Sequence, residues 1–204
     1  SLFTALGGFT GIRAVAKHVW GSDDLTGKRV AVQGLGQTGS DLCRQLHEAG
    51  AELVVADVRP EATQETVERF GAVAVAPDVI HAQDVDIFAP CAMGAGINDD
   101  TLPDIKARAI CGLANNQLDK ARHGEALRAR GIAYVPDYVV NAGGVMGAST
   151  VIFSTPSRET ATKRILGLFD TVLSILTEAD RTGLPSSQVA DSMAITKMDA
   201  AKLP

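Results

Sequence analysis

The six residues from Gly34 to Gly39 read Gly-Leu-Gly-Gln-Thr-Gly, the spacing of a turn that binds a pyrophosphate. The β-branched run RVAVQ precedes them and a helical pattern follows, which is the context this motif requires. Gly34 would permit the tight turn, Gly36 would let the pyrophosphate approach the backbone, and Gly39 would let helix and strand pack closely. The helix N-terminus would add free amides and a positive dipole end. The alternative is a purely structural glycine turn.

Asp57 is the acidic residue that such a turn needs for binding a dinucleotide. It ends the run ELVVAD, 18 positions after Gly39, where a carboxylate can bond the hydroxyls of an adenosine ribose. It favours NAD over NADP, because a 2′-phosphate would meet a negative charge, although the nearby Arg59 weakens that preference. The alternative is an aspartate that ends a strand and caps the next helix.

Polar residues also follow three later apolar runs, where loops at the carboxyl ends of strands flank a ligand crevice. We expect Cys91 to be a small side chain beside the cofactor rather than a nucleophile, because no histidine partner is evident. Asn115 and Asn116 suit a ribose, or else form an Asx turn. Asn141 lies in a glycine-rich stretch and could orient a substrate; the alternative there is a glycine-rich turn at a helix entry.

Composition excludes several classes of function. A net charge of −5 with 4% aromatic residues argues against binding to nucleic acid. The three cysteines form no CxxC pair, which indicates a reducing compartment and predicts a cytoplasmic protein. The four histidines are scattered, so we expect no metal site, and no apolar run approaches the ~18 residues of a membrane span.

Short apolar runs alternate with helical patterns, which predicts a parallel sheet with helices on both faces. The predicted strands are Arg29–Gln33, Glu52–Ala56, Ala72–Val75, Val85–Phe88, Ala109–Cys111 and Ile132–Val135. The predicted helices between them are Thr38–Ala49, Pro60–Phe70, Asn98–Ala107 and Leu118–Arg130. Gly50, Gly71 and Gly131 stand where a helix stops, a position that tolerates positive φ. The fold class is therefore α/β: a Rossmann-like, doubly wound, mainly parallel sheet flanked by helices.

The two ends of the chain carry helical patterns that add no strand. Ala5–Val19 predicts an amphipathic helix with Thr4 as its N-cap. Arg158–Thr182 predicts one long helix, and Ser187–Met198 predicts another. Helices that flank a sheet without extending it suit packing against a further domain.

Five stretches together resemble the glutamate/leucine/phenylalanine/valine dehydrogenase superfamily, with the closer likeness to leucine, valine and phenylalanine dehydrogenases. They are FTALGGFTGIRA (Phe3–Ala14), VAVQGLGQTG (Val30–Gly39), DIFAPCAMGAGIND (Asp86–Asp99), ANNQL (Ala114–Leu118) and YVPDYVVNAGG (Tyr134–Gly144). The last three stretches are fairly specific to the family. With the terminal helices, the likeness covers nearly all of the chain.

The resemblance implies reversible oxidative deamination of an apolar or aromatic L-amino acid to a 2-oxo acid, with NAD as the hydride acceptor. In particular, Thr4 would touch the nicotinamide carboxamide, Asp57 would hold the adenosine ribose, and Asn141 would lie between nicotinamide and substrate. The implied cofactor-binding residues are Thr4, Gly34, Leu35, Gly36, Gln37, Thr38, Gly39, Asp57, Val58, Cys91, Ala92, Met93, Ala114, Asn115, Asn116 and Asn141. The implied substrate pocket comprises Asn141, Val145 and Met146.

One departure from the family concerns the lysines. Family members keep their catalytic lysines in an N-terminal domain, one of them in a Gly-Gly-Gly-Lys-like motif, and none of the seven lysines here lies in such a motif. We therefore expect residues 1–204 to form the dinucleotide-binding domain, with a hinge helix first and interdomain helices last, and no catalytic residue. The substrate domain would be absent, either because the chain is a fragment or because a natural protein has lost it. A homo-oligomer is expected when that domain is present.

A second departure is GASTVIFSTP at Gly147–Pro156, where the family usually has a polar, acidic helix. The two departures leave two alternatives to the main hypothesis, the first motivated by the absent lysine motif and the second by the altered Gly147–Pro156 segment. One is a non-catalytic NAD-binding module that regulates or scaffolds a partner. The other is a related dehydrogenase that acts on a different imine or oxo acid.

Overall fold

A single parallel sheet organises the protein in a computed structural model, which describes the backbone of residues 2–152 and 158–201 and the side chains of residues 2–144 and 158–200. Its strands are β1 Arg29–Gln33, β2 Glu52–Ala56, β3 Val73–Ala74, β4 Ile87–Pro90, β5 Ala109–Ile110 and β6 Ala133–Tyr134. They pair in the order β3-β2-β1-β4-β5-β6, every pair parallel. The direction of winding reverses between β1 and β4, the point where such sheets bind ligands. The predicted fold class is confirmed.

The α-helices precede the first strand, connect some of the strands and continue after the last one. They are α1 Leu2–Trp20, α2 Gln37–Glu48, α3 Pro60–Phe70, α4 Arg122–Ala129, α5 Asp137–Ile152, α6 Arg158–Leu166, α7 Leu168–Thr182 and α8 Ser186–Ala201. Helix α3 begins with a proline, whose missing N–H is harmless at the first helical position. Gly50, Gly71 and Gly131 all have positive φ after helices, as predicted.

Both faces of the sheet are buried, and the strands divide their side chains between two cores. In β1, Val30 and Val32 point into the first core and Ala31 into the second, following the two-residue period of a strand. The first core includes residues of α1, α2, α5 and α7, whereas the second includes residues of α4 and of the β4–β5 connection. With both faces covered, the carboxyl edge of the sheet is left to form a site.

Glycines let α1 and α5 approach each other backbone to backbone. A Cβ on Gly7 would lie 2.3 Å from the carbonyl oxygen of Val140, and one on Gly143 would lie 2.7 Å from that of Phe3. No side chain fits at either place without displacing a helix. The contact therefore fixes the start of α1 against the first half of α5.

The last two helices form a smaller apolar contact of their own. Ile175 and Ala179 of α7 pack against Val189 and Ala190 of α8. At the start of α8, the Ser186 hydroxyl donates to the carbonyl oxygen of Tyr134 at 2.5 Å, which ties α8 to the end of β6.

The predicted helix over Asn98–Ala107 is wrong. Only Leu102–Asp104 forms a turn of 3₁₀ helix there. Asn98 Oδ1 instead accepts hydrogen bonds from the amides of Asp100 and Thr101, both at 3.0 Å, and so forms an Asx turn. The spacing of apolar residues suggested a helix, but Ile105 reaches the second core from an irregular segment.

Smaller corrections concern helix ends. Thr4 lies inside α1 rather than at its N-cap, because the helix already begins at Leu2. Helix α4 begins at Arg122, later than predicted, because Leu118 pairs with Ile97 in an isolated parallel bridge. The predicted long helix is divided at Gly167, a residue that weakens a helix interior by about 1 kcal/mol relative to alanine. Strands β3 to β6 differ from prediction by one or two residues at their ends.

Candidate functional site

The turn between β1 and α2 uses its three motif glycines in two different ways. Gly34 has φ +95°, and a Cβ there would lie 2.8 Å from the amide nitrogen of Ala92. A Cβ on Gly39 would lie 2.0 Å from the carbonyl oxygen of Gly34. Both are therefore required by the packing of the turn. Gly36 is different, because a Cβ on it would meet no atom of the described residues within 4 Å.

The N-terminus of α2 is open beside Gly36. Gly36 is the N-cap, and in the described part of the chain no side chain caps this helix and its first turn holds no acidic residue. The first amides of an α-helix have no partner within the helix, so those of Gln37, Thr38 and Gly39 are available to an acceptor. Together with the helix dipole they suit a phosphate, and the open space at Gly36 is where it would lie.

Asp57 stands directly after β2 and is anchored to this turn. Its side chain is 8% exposed, and Oδ2 accepts a hydrogen bond from the amide of Leu35 at 2.6 Å. Oδ1 accepts from the amide of Arg59 at 2.8 Å and from its Nε at 3.2 Å. Burial opposes ionisation, but these hydrogen bonds and the Arg59 charge outweigh it and lower the pKa of Asp57. The carboxylate is therefore ionised at neutral pH and held in place.

The neighbours of Asp57 face in different directions. The Leu35 side chain is buried in the first core, and its carbonyl oxygen accepts from the Ser40 hydroxyl at 2.9 Å and from Arg59 Nη2 at 3.1 Å. Leu35 thus supports the turn through its backbone. Val58, by contrast, is 84% exposed and offers an apolar surface next to the carboxylate.

The loop after β4 lies beside the glycine turn. The Cys91 amide donates to the carbonyl oxygen of Gln33 at 2.7 Å, and Ala92 closes against Gly34. Met93 is 85% exposed at the tip of this loop. Burial of the thiol raises the pKa of Cys91 to about 12, so the side chain is not a thiolate at neutral pH. That Cys91 lies beside a bound cofactor stays a prediction.

The loop after β5 reaches α5 through a pair of asparagines. Asn141 Nδ2 donates to Asn115 Oδ1 at 3.0 Å, so two predicted site residues meet. Asn141 Oδ1 is buried and has no hydrogen-bond partner among the described residues. The adjacent Ala114 is buried, and its carbonyl oxygen accepts from Gln117 Nε2 at 3.0 Å. The Asn pair presents a free acceptor at the carboxyl edge of the sheet.

Thr4 is brought to the same region by the contact between α1 and α5. A Cβ on Gly144 would lie 2.6 Å from Thr4 Oγ1, and Gly144 follows Asn141 by about one turn of helix. Thr4 and Asn141 therefore lie together although they are far apart in the sequence. The side chains of Val145 and Met146 lie outside the described residues.

Sequence reasoning missed Asp137 and Tyr134. Asp137 is 9% exposed at the start of α5, and its Oδ2 accepts from the amide of Asn116 at 3.0 Å. The buried Tyr134 hydroxyl donates to Asp137 Oδ1 at 3.3 Å. An acidic residue shortly after a strand and at the start of a glycine-rich helix was the available signal, and it resembled an ordinary helix cap.

Other kinds of site find no support in the part of the chain that is described. It contains no cluster of three or more His, Cys, Asp or Glu side chains arranged to hold a metal ion. Its helices include none that is both long enough and apolar enough to cross a membrane. The cysteines Cys43, Cys91 and Cys111 are all free thiols.

Comparison with known proteins identifies the family of the chain. The profile of the Glutamate/Leucine/Phenylalanine/Valine dehydrogenase family matches residues 59–164, more than half of the chain. The chain belongs to this dehydrogenase family. A leucine dehydrogenase of Bacillus subtilis is 45% identical over 96% of the chain, and an L-tryptophan dehydrogenase of Nostoc punctiforme is 41% identical over 98%. The chain spans about half the length of these curated relatives, 54% and 56% respectively.

Solved structures of family members agree with this assignment. The crystal structure of L-tryptophan dehydrogenase from Nostoc punctiforme superposes with a TM-score of 0.94 at 40% identity, covering 99% of this chain and 60% of that one. A hetero-hexameric glutamate dehydrogenase from Thermus thermophilus shares the fold, with a TM-score of 0.77 at 24% identity over 98% of this chain and 52% of its own. The residues around the glycine turn thus lie in a dehydrogenase domain.

Proposed function

We propose that this chain is the cofactor-binding part of an NAD-dependent dehydrogenase that oxidatively deaminates an apolar or aromatic L-amino acid to a 2-oxo acid. The observation that carries the proposal is the turn at Gly36, where an uncapped helix N-terminus faces open space beside the ionised Asp57. The names of the relatives, which are leucine, tryptophan and valine dehydrogenases, support the choice of reaction.

The adenosine half of NAD would be bound by residues between β1 and α3. The amides of Gln37, Thr38 and Gly39 would hold the pyrophosphate, and the space at Gly36 would admit it. Asp57 would accept hydrogen bonds from the adenosine ribose, with the exposed Val58 beside the adenine. Arg59, which on sequence alone counts against a preference for NAD, would be less available to a 2′-phosphate because its guanidinium already pairs with Asp57 and with the carbonyl oxygen of Leu35.

The nicotinamide half would meet the loops after β4 and β5 and the start of α1. Ala92 and Met93 would line one side, Ala114 and the two asparagines that follow it would line the other, and Thr4 would contact the carboxamide. When bound, NAD supplies the acceptor for the hydride from the amino acid's Cα. Asn141 would orient the reacting groups through its free Oδ1. The groups that move protons on the amino acid would lie outside these 204 residues.

The choice of cofactor can be tested by comparing NADH with NADPH on this chain by isothermal titration calorimetry. NADH should bind more tightly, and Asp57→Ala should weaken NADH binding by about 1–3 kcal/mol, or about 5- to 150-fold, the scale of an unpaired buried group. Glu65→Ala is a matched control, because Glu65 is an exposed carboxylate on α3 that pairs with Arg69. Equal affinity for both dinucleotides, or no effect of Asp57→Ala, would contradict the assignment.

The reaction can be tested with the natural polypeptide that contains these residues. NADH formation should depend on an added L-amino acid, with leucine, valine, phenylalanine and tryptophan as the first panel. A protein that binds NADH but turns over no amino acid would instead be a non-catalytic module. Best turnover on a different imine or oxo acid would favour a related dehydrogenase with another substrate.

Compartment and assembly also remain proposals. The free thiols support a reducing compartment such as the cytoplasm. The hexameric assembly of the Thermus thermophilus relative supports an oligomer for the longer protein.

A further inference from the structure

Asp137 connects three elements at the carboxyl edge of the sheet. From the first turn of α5, its two carboxylate oxygens hold the amide of Asn116 after β5 and the hydroxyl of Tyr134 at the end of β6. Burial first, and then the nearby Asp137 charge, raises the pKa of Tyr134, so its hydroxyl remains a hydrogen-bond donor. Both oxygens of Asp137 thus act within the protein, one on the backbone of Asn116 and the other on the hydroxyl of Tyr134.

The residue that Asp137 holds has an uncommon backbone conformation. Asn116 has φ +54°, in the left-handed region that is uncommon for residues other than glycine. Its amide donates to Asp137, and its carbonyl oxygen accepts from the amide of Ala95 at 2.7 Å. The turn is thus held from both sides. Such conformations persist where the surroundings over-determine them, and they cluster at functional sites.

The same turn is linked to Asn141. Asn141 follows Asp137 by four residues, so both lie on one face of α5. Asp137 binds the backbone of the turn, whereas Asn141 Nδ2 binds the Asn115 side chain. Because Asn115 accepts from Nδ2, Asn141 is left to present Oδ1, which is buried and unpaired among the described residues. Such an acceptor calls for an N–H or O–H donor from a ligand.

We propose that Asp137 is a positioning residue for the nicotinamide half of the site. By holding the Asn116 amide it fixes Asn115, and through Asn115 it sets the direction in which Asn141 offers its oxygen to the ligand. This inference rests on the proposed function and deepens it. The adenosine half of the ligand would be bound by the glycine turn and Asp57, which Asp137 does not touch. A change at Asp137 should therefore affect the affinity for NADH but not that for ADP.

The test compares NADH with ADP, which lacks the nicotinamide riboside, by calorimetry on wild-type chain and variants. Asp137→Ala should weaken NADH binding about tenfold, the effect of one lost hydrogen bond to a charged group, and leave ADP binding within about twofold. Asp137→Asn should keep most NADH affinity, because its Oδ1 can accept from Asn116 and its Nδ2 can donate to the Tyr134 oxygen. A role confined to stability would not separate the two ligands.

Asp191 offers a matched control on α8. Its Oδ1 accepts from the hydroxyl of Tyr138 at 2.7 Å. Asp191→Ala therefore removes a hydrogen bond between an aspartate and a tyrosine without changing the turn at Asn115 and Asn116. Neither ligand should be affected. Should Asp137→Ala not fold, Asp137→Ser takes its place, since serine suits a helix start but is too short to reach Asn116.

The outcomes separate this inference from the proposed function. A wild-type chain that binds neither ligand refutes the proposed function, and this inference with it. Wild-type binding followed by equal losses of NADH and ADP in Asp137→Ala, or by no loss of NADH, refutes the positioning role alone.

Discussion

Replacing Gly36 with alanine should stabilise the fold and weaken nucleotide binding at the same time. Gly36 has φ −64° and ψ −178°, an extended conformation that alanine adopts without strain. A Cβ there meets no atom of the described residues within 4 Å. The protein's own packing therefore gives no reason for glycine at this position, whereas a bound pyrophosphate does.

Both effects have calculable sizes. Alanine restricts the unfolded chain, which stabilises a protein by about 0.4–1 kcal/mol where the native conformation is compatible. For a domain of this size that raises Tm by about 1–4 °C. In the complex, the methyl group would occupy space next to the helix N-terminus. Loss of one hydrogen bond to a charged group costs about 1.5–3 kcal/mol, or about 10- to 150-fold in the Kd for NADH.

Thermal unfolding by circular dichroism and titration calorimetry with NADH measure the two effects separately. Gly39→Ala is the matched control, because its Cβ would lie 2.0 Å from the carbonyl oxygen of Gly34 and should cost about 1–3 kcal/mol of stability. If Gly36→Ala binds NADH like wild type, the pyrophosphate does not lie at Gly36. If it unfolds earlier than wild type, the glycine is structural and the reasoning fails.

Three further outcomes can be checked on the same chain. Gly7→Ala should lower the free energy of unfolding by about 1–3 kcal/mol in urea titrations, because its Cβ would lie 2.3 Å from the carbonyl oxygen of Val140; an unchanged midpoint would contradict the close helix contact. The pKa of Asp57 is lowered in the fold, so its ionised form contributes stability above the unfolded pKa of about 3.9 and loses it as pH falls through the folded value. The stability difference between wild type and Asp57→Asn should therefore be constant from pH 7 down to about pH 5 and shrink as the pH falls further, through the unfolded value of about 3.9 and below; a constant difference at all these pH values would refute this linkage. Cys91 should react slowly with iodoacetamide at neutral pH, and Cys91→Ala should keep NADH affinity; rapid alkylation measured by mass spectrometry would contradict the raised pKa.

The arrangement proposed to bind the adenosine half could be predicted from sequence because its parts are local. Strand β1, the glycine turn, α2 and β2 follow one another, and Asp57 reaches back to the Leu35 amide across a single β-α-β unit. The spacing of residues within such a unit is fixed by its geometry. The exact match of β1 and β2 to their predicted bounds reflects the same locality.

The β4–β5 connection could not be predicted in this way. Its apolar residues have a spacing that fits a helix, yet the Asn98 side chain forms an Asx turn and Pro103 lacks an N–H, so the segment runs irregularly across the second core. Here the hydrogen bonds of a side chain to nearby backbone amides outweigh the helical spacing of the apolar residues. Asp137 was missed for a related reason: its partner Asn116 precedes it by 21 residues, and no local pattern links them.

The nicotinamide half depends instead on contacts between distant segments. Thr4 comes close to the part of α5 that carries Asn141 only because glycines on α1 and α5 let the two helices touch, and Asn141 bonds a turn that follows β5. A larger residue in place of a glycine at the contact between α1 and α5 should therefore weaken NADH binding and leave ADP binding largely intact. The two halves of the proposed ligand site thus differ in what positions them: local chain geometry places the residues proposed for the adenosine, and the helix contact with the Asp137 hydrogen bonds places those proposed for the nicotinamide.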